Sequence, residues 1–315
     1  MKKVLLTLSA LFCAALFALS FAGCPDDREL LIDADLPPFD PVVTFVVNSA
    51  GTGFEKRGDA DVPAPTKGDS NGVFEAVNGL YVFNTKGTAN GTDTIGWATN
   101  LTWTHYDNIG YINFDAAVAD MLVSLSKFSI AMYFCLPIDA QTDRADHYLF
   151  SFTDNLAPSN GLLLNWGNNI KFQKFVNGTE TVALLDFNNS QAKLGSLGDW
   201  HHVVVTVDGT TINIYLDGNP VLDETSATMW SGSDTNTITT YPWHNTDIAA
   251  GTLVINGINQ KVWGNASYGQ QLFNTKFYKF AIYDEVLTNE QAMGLATAED
   301  EDMDGTPDLD QLNGY

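Results

Sequence analysis

The chain has 315 residues, of which 17% are charged and 12% aromatic, and its 38 acidic against 15 basic residues give a formal charge of −23. So acidic a chain argues against nucleic acid or an anionic lipid surface as the partner of the folded part, and points to divalent cations instead. The length suits one large β domain, and turns rich in Asn, Gly, Thr and Ser fit an extracellular all-β protein.

Lys2 and Lys3 precede an apolar run from Val4 to Ala18, so residues 1–23 read as a secretory signal peptide rather than a folded helix. Phe21-Ala22-Gly23-Cys24 resembles a bacterial lipobox, which implies acylation of Cys24. Phe21 stands where that pattern usually has Leu, and Ser20-Phe21-Ala22 also fits an ordinary small-x-small cleavage site. Acylation would supply the membrane hold, at roughly 0.8 kcal/mol per buried CH₂. The expectation is export across the inner membrane and lipid anchoring to the outer membrane or cell surface, with no other membrane contact. Without Lys2 and Lys3 the mature chain carries 13 basic against 38 acidic residues, or −25. Cys13 leaves with the signal, so Cys135 stands alone and reads as a buried, inert thiol.

Residues 24–41 form an acidic tether with two adjacent prolines, Pro37 and Pro38. The tether reads either as a solvated linker or, by resemblance, as the surface-export signal of some Gram-negative lipoproteins. A β-sandwich is expected over 42–295. Its first strand is 42–47, and 51–72 reads as a loop. Further strands are expected at 79–83, 96–103, 110–114, 128–136, 147–152, 162–166, 170–176, 182–187, 253–258 and 275–283. Turn signals such as Asn160-Gly161 and Asn177-Gly178 separate them at sandwich spacing.

Residues 199–218 are the most informative stretch. Asp-Trp-His-His-Val-Val-Val-Thr-Val is dense in β-branched residues, Asp208-Gly209-Thr210-Thr211 turns, and Ile212, Ile214 and Leu216 alternate before Asp217-Gly218 turns again. This is an antiparallel pair. Trp200, His202, Val204 and Thr206 share one face, while His201, Val203, Val205 and Val207 share the other, drier one.

This hairpin resembles the central one of laminin-G-like and concanavalin A-like jelly-roll domains, where a Trp-x-His-Val stretch runs into a Tyr-x-Asp-Gly turn. Tyr111–Phe114 and, after a spacer, Lys127–Phe134 look like the family's early strands. Phe277–Thr288 is similar to its closing strand, and Asn289–Ala292 to the short helical turn that follows. The resemblance covers roughly 70–295 and implies an all-β, two-sheet antiparallel sandwich. His202 falls on the family's recurrent histidine, which implies packing beside Trp200 and a hydrogen bond across the sandwich. The scaffold carries lectins, adhesion modules, receptors and some glycoside hydrolases, so it does not by itself fix function.

Residues 225–271 exceed the family's usual connections and hold Trp230, Tyr241, Trp243, Trp263 and Tyr268 among Ser, Thr, Asn and Gly. Aromatic faces in polar loops suit stacking on the apolar face of a sugar ring, and they equally suit stapling a long loop onto the sandwich. In the tail, residues 296–315, alternate acids at Asp300, Asp302 and Asp304 precede Gly305, and Asp308 and Asp310 follow. Such oxygens can surround one Ca²⁺. A strict EF-hand is excluded, since Gln311 stands where its bidentate glutamate belongs. The pattern resembles one thrombospondin type 3 calcium repeat, and a free acidic tail is the alternative.

The Glu-x-Asp-x-x-Glu motif that β-glucanases of this fold carry on one strand is absent, as are a Gly-x-Ser-x-Gly elbow and a His-Glu-x-x-His pair. The reading is therefore a non-catalytic, calcium-stabilised surface protein binding glycans. The alternatives are an adhesion or structural protein with a surface-protein partner, and a divergent polysaccharide-degrading glycoside hydrolase.

Overall fold

Runs of Val, Ile, Phe and Tyr punctuated by Asn-Gly and Asp-Gly pairs favour short paired strands, and the computed structural model realises them. It describes residues 40–68, 71–94, 102–107, 109–136, 147–153, 161–166, 170–176, 179–186, 198–208, 212–220, 252–257, 274–297 and 312. In chain order these form β1 (Val43–Val47), β2 (Phe54–Arg57), β3 (Thr66–Lys67), β4 (Val73–Val77), β5 (Leu80–Asn84), β6 (Thr88–Thr94), β7 (Thr102–Asp107) and β8 (Ile112–Asn113). Helix α1 (Ala116–Ser124) follows, then β9 (Phe128–Cys135), β10 (His147–Thr153), β11 (Gly161–Trp166), β12 (Ile170–Val176) and β13 (Thr179–Asp186). The chain continues through β14 (Trp200–Val207), β15 (Ile212–Leu216), β16 (Asn219–Pro220), β17 (Thr252–Ile255), β18 (Lys276–Tyr283) and helix α2 (Asn289–Thr297).

One antiparallel sheet runs β16-β15-β14-β9-β18-β1-β2, with β5 also pairing β18 and β4 pairing β5. The other runs β13-β12-β11-β10-β17-β8-β3, and β6 and β7 form a separate ribbon. Alternate residues of both sheets meet in one core. Phe128, Ile130, Met132, Phe134, Val203, Val205 and Val207 come from the first sheet and Phe150, Phe152, Leu164, Leu253 and Ile255 from the second. Phe114 sits between the sheets' contributions, with ring centroids 5.2 Å from Phe45 and 5.1 Å from Phe280. This is the expected two-sheet antiparallel sandwich.

The first sheet is buried on its outer face as well, so both faces of β14 are dry rather than one. Helix α2 covers Ala131, Val204, Tyr215, Ala281 and Tyr283 with Leu287, Ala292 and Leu295. Its start is a capping box, in which Thr288 N donates to Gln291 Oε1 at 2.8 Å and Gln291 N to Thr288 Oγ1 at 3.2 Å. Beside it, Val46, Val82, Tyr133, Cys135, Trp200 and Tyr278 form a second outer patch that Leu312 closes. Asn78, at a left-handed turn position with φ +49°, donates Nδ2 to Leu312 O at 3.0 Å. Leu312 is thus part of the fold. Leu312→Ala is expected to cost about 2–3 kcal/mol in urea unfolding, the usual range for emptying a buried leucine site.

Several local expectations change. The 51–72 loop contains β2 and β3; of the strand expected at 96–103, Thr102 and Trp103 begin β7 (Thr102–Asp107) and the rest lies outside the described residues. The spacer before Lys127 is helix α1, whose N-cap Asp115 accepts from Ala117 N at 2.9 Å and which buries Val118, Ala119 and Leu122.

Candidate functional site

The central hairpin organises the polar groups that the structure buries. Asp217 and Gly218 have φ of +49° and +74°, the two positive values of a type I′ turn, and this places Asp217 back against β14. Its Oδ1 accepts from His202 N and its Oδ2 pairs with His201 Nδ1, both at 2.8 Å. One turn carboxylate thereby holds the two consecutive histidines in opposite orientations.

His201 lies 6.0 Å from the Phe134 ring on the inner side, while His202 packs 4.4 Å from Tyr133 on the outer side. The implied hydrogen bond from His202 across the sandwich is not found: both ring nitrogens are buried without a hydrogen-bond partner. The reason is facial. His202 shares the face of Trp200 and Val204, away from the second sheet. Burial, reinforced by the Lys279 ammonium and only partly offset by Asp217, pushes the His202 pKa down to about 3. The ring is neutral at pH 7.

Lys279 owes its place to a bulge. The register of β18 on β9 shifts between Phe277 and Phe280, so that Tyr278 and Lys279 both reach Tyr133. The Lys279 amine stands 4.9 Å over the Tyr133 ring and the Tyr278 ring centroid is 6.4 Å away, while Tyr133 Oη donates to Leu295 O at 2.7 Å. Burial, opposed by Lys276 and aided by Asp199, raises the Cys135 thiol to about 11, and its Sγ contacts Gly198 O at 3.3 Å. That thiol is inert at neutral pH. Sequence reasoning missed the role of Asp217 and the burial of Lys279; the Asp-Gly pair signalled the first, whereas a bulge leaves no local pattern.

The residues expected to bind ligands, Trp230, Tyr241, Trp243, Trp263 and Tyr268, lie outside the described residues. So do Asp300, Asp302, Asp304, Asp308 and Asp310, and Cys24 with the signal peptide and the tether up to residue 39. What the structure places is their frame. Residues 221–251 join β16 to β17, residues 258–273 join β17 to β18, and the acidic run lies between α2 and Leu312. Among the described residues no three His, Cys, Asp or Glu side chains come together to hold a metal ion.

The Laminin_G_3 family model, described as the concanavalin A-like lectin/glucanases superfamily, matches residues 108–293, more than half of the chain. The chain belongs to this superfamily. The matched span holds β9 through β18, the central hairpin and the start of α2. Among solved structures, domain 4 of AbnA, a GH43 extracellular arabinanase from Geobacillus stearothermophilus in complex with arabinotriose, is similar at 13% identity with a TM-score of 0.49. The likeness covers 83% of this chain and 100% of that one. A Trypanosoma rangeli sialidase in complex with 2,3-difluorosialic acid is 13% identical with a TM-score of 0.47, over 84% of this chain and 34% of that one. The binding domain of botulinum neurotoxin DC in complex with SialylT is 12% identical with a TM-score of 0.49, over 81% and 50%. This chain therefore spans about a third to a half of the latter two. None of the curated proteins matches it.

Proposed function

We propose that this protein is a cell-surface binding module that takes carbohydrate without cleaving it, held to the membrane by an acylated Cys24. The observation that carries the binding side of this reading is where carboxylates stand on the strands. Glycoside hydrolysis in most families needs two of them roughly 5–10 Å apart across the scissile bond. Strands β1, β9, β14, β18, β10, β11, β12 and β17 carry no Asp or Glu at all. Those that do are at edges or in hairpins: Glu55 in β2, Glu75 in β4, Asp93 in β6, Asp107 in β7, and Glu180 and Asp186 in β13. Glu55 is engaged by Arg57 at 2.8 Å.

Carbohydrate is favoured over a protein surface by the five aromatics in the two connections flanking β17. That strand has four residues, so the connections meet the sandwich within about 13 Å of each other. Trp and Tyr faces stack on sugar C–H groups, and surrounding Asn, Ser and Thr supply hydroxyl partners. A mature charge of −25 favours neutral sugars over sulfated or sialylated ones. Trp243→Ala and Trp263→Ala are each expected to weaken glycan binding about tenfold, measured by calorimetry, as loss of one stacking contact of about 1.4 kcal/mol requires. Unchanged affinity in both variants would move the site elsewhere.

The tail run Asp300, Asp302, Asp304, Asp308 and Asp310 offers only hard oxygen donors around Gly305, which fits Ca²⁺. Because Leu312 is built into the outer patch of the sandwich, calcium held just before it would stabilise the whole domain. A saturating excess of Ca²⁺, about a hundred times Kd, is expected to add about 2.7 kcal/mol to unfolding free energy, and chelator to remove it. An unfolding curve indifferent to both would leave the tail as a free acidic segment.

A further inference from the structure

Where β5 ends and β18 begins, two segments 188 positions apart in sequence are clamped together. Thr85 N donates to Thr275 O at 2.9 Å, Asn274 N to Thr85 O at 2.8 Å, and Thr275 N to Thr85 Oγ1 at 2.8 Å. Gly110 N donates to Lys86 O at 2.8 Å and fixes the next residue. Asn84, Thr85 and Thr275 are completely buried. Asn274 sits at φ +60°, a left-handed conformation that asparagine tolerates better than most residues and that surrounding structure must hold in place.

The clamp brings the Lys86 amine, Nζ, into contact with Asn274 Oδ1. The same oxygen accepts from Asn84 Nδ2 at 3.0 Å, and Asn84 Nδ2 donates also to Glu75 Oε1 at 2.9 Å. Lys276 Nζ stands 3.5 Å from that carboxylate oxygen. The side-chain amide of Asn274 is therefore gripped at its oxygen by a buried donor while a primary amine touches it. Donors aimed at a carbonyl oxygen stabilise the charge that develops there when a nucleophile adds to its carbon. A rigid frame that holds amine and amide together raises their effective concentration by many orders of magnitude.

We propose that Lys86 and Asn274 join in an intramolecular isopeptide bond. The free amine of Lys86 adds through Nζ to Cγ of Asn274, and the negative charge formed on Oδ1 is held by Asn84 Nδ2. The Cγ–Nδ2 bond then breaks, Nδ2 leaves as ammonia carrying the proton that Nζ gives up, and the carbonyl reforms as a secondary amide. Nothing is oxidised or reduced. The bond ties the exit of β5 to the entry of β18, closing β6 through β17 into one covalent loop, as a long-range disulfide would in a chain with a single cysteine among its described residues.

Peptide mass spectrometry of the purified full chain tests this. The expected result is a branched peptide joining the Lys86 and Asn274 segments, lighter than their sum by one ammonia, in near-stoichiometric yield. The Lys86→Arg variant, which has no primary amine to add to the amide carbon, is expected to release the two segments separately. Wild-type protein that yields both segments unlinked at their sequence masses overturns the proposal.

Discussion

His202→Phe is expected to remove most of the acid sensitivity of this fold. The ring is completely buried against Tyr133, neither nitrogen has a hydrogen-bond partner, and Lys279 places a like charge beside it. Its folded pKa is depressed from 6.5 to about 3, so between those values the unfolded chain binds the proton and the folded chain does not. Stability is therefore fully present above about pH 6.5 and falls as pH drops toward 3, by about 1.4 kcal/mol per pH unit and on the order of 5 kcal/mol in all. Phenylalanine fills the same shape and binds no proton. At pH 7 the variant is expected to be at least as stable, because it also removes two buried polar atoms that have no partner. The check is urea unfolding of both proteins from pH 7 to pH 4. Parallel declines would show that His202 does not carry the effect.

Gly218→Ala is expected to destabilise the domain by about 3 kcal/mol. Part of the cost is conformational, since an L-residue held in the left-handed region loses roughly 1–2 kcal/mol. The rest is a collision: a Cβ at this position would stand 2.7 Å from Met293 Cα and 3.2 Å from its side-chain Cβ and Cγ. Main chain cannot yield as a side-chain tip does, so helix α2 would have to lift from the outer face of the sheet. That same turn orients Asp217 toward His201 and His202, and the damage reaches β14. A loss under about 0.5 kcal/mol, the level of an ordinary surface change, would mean that α2 is free to move.

The sandwich itself was legible because its signals are local. β14 and β15 show period-two alternation with an Asp-Gly turn, and β12 begins and ends where the pattern places it. Helix α1 has Asp115 at its N-cap before a run of good helix formers, yet it lies between two stronger strand signals, where so short a segment reads as their connection. Helix α2 is expected only as the short helical turn at Asn289–Ala292 that the family resemblance implies; its nine-residue length follows from covering the outer sheet face. Leu312 and the Lys86–Asn274 contact were illegible for another reason. Each joins segments more than 180 positions apart, and no pattern in either segment names the other. The candidate ligand site rests on composition alone, because its aromatics lie in long polar connections where neither period two nor period 3.6 applies.

The most direct test of the central claim is a glycan array probed with the chain from Phe39 onward, which forms one compact unit, in Ca²⁺ and in chelator. The expected result is selective binding to a class of neutral glycans that Trp243→Ala or Trp263→Ala weakens and chelator reduces. Silence on every glycan from a protein that unfolds cooperatively would contradict carbohydrate recognition and leave a surface protein as the partner.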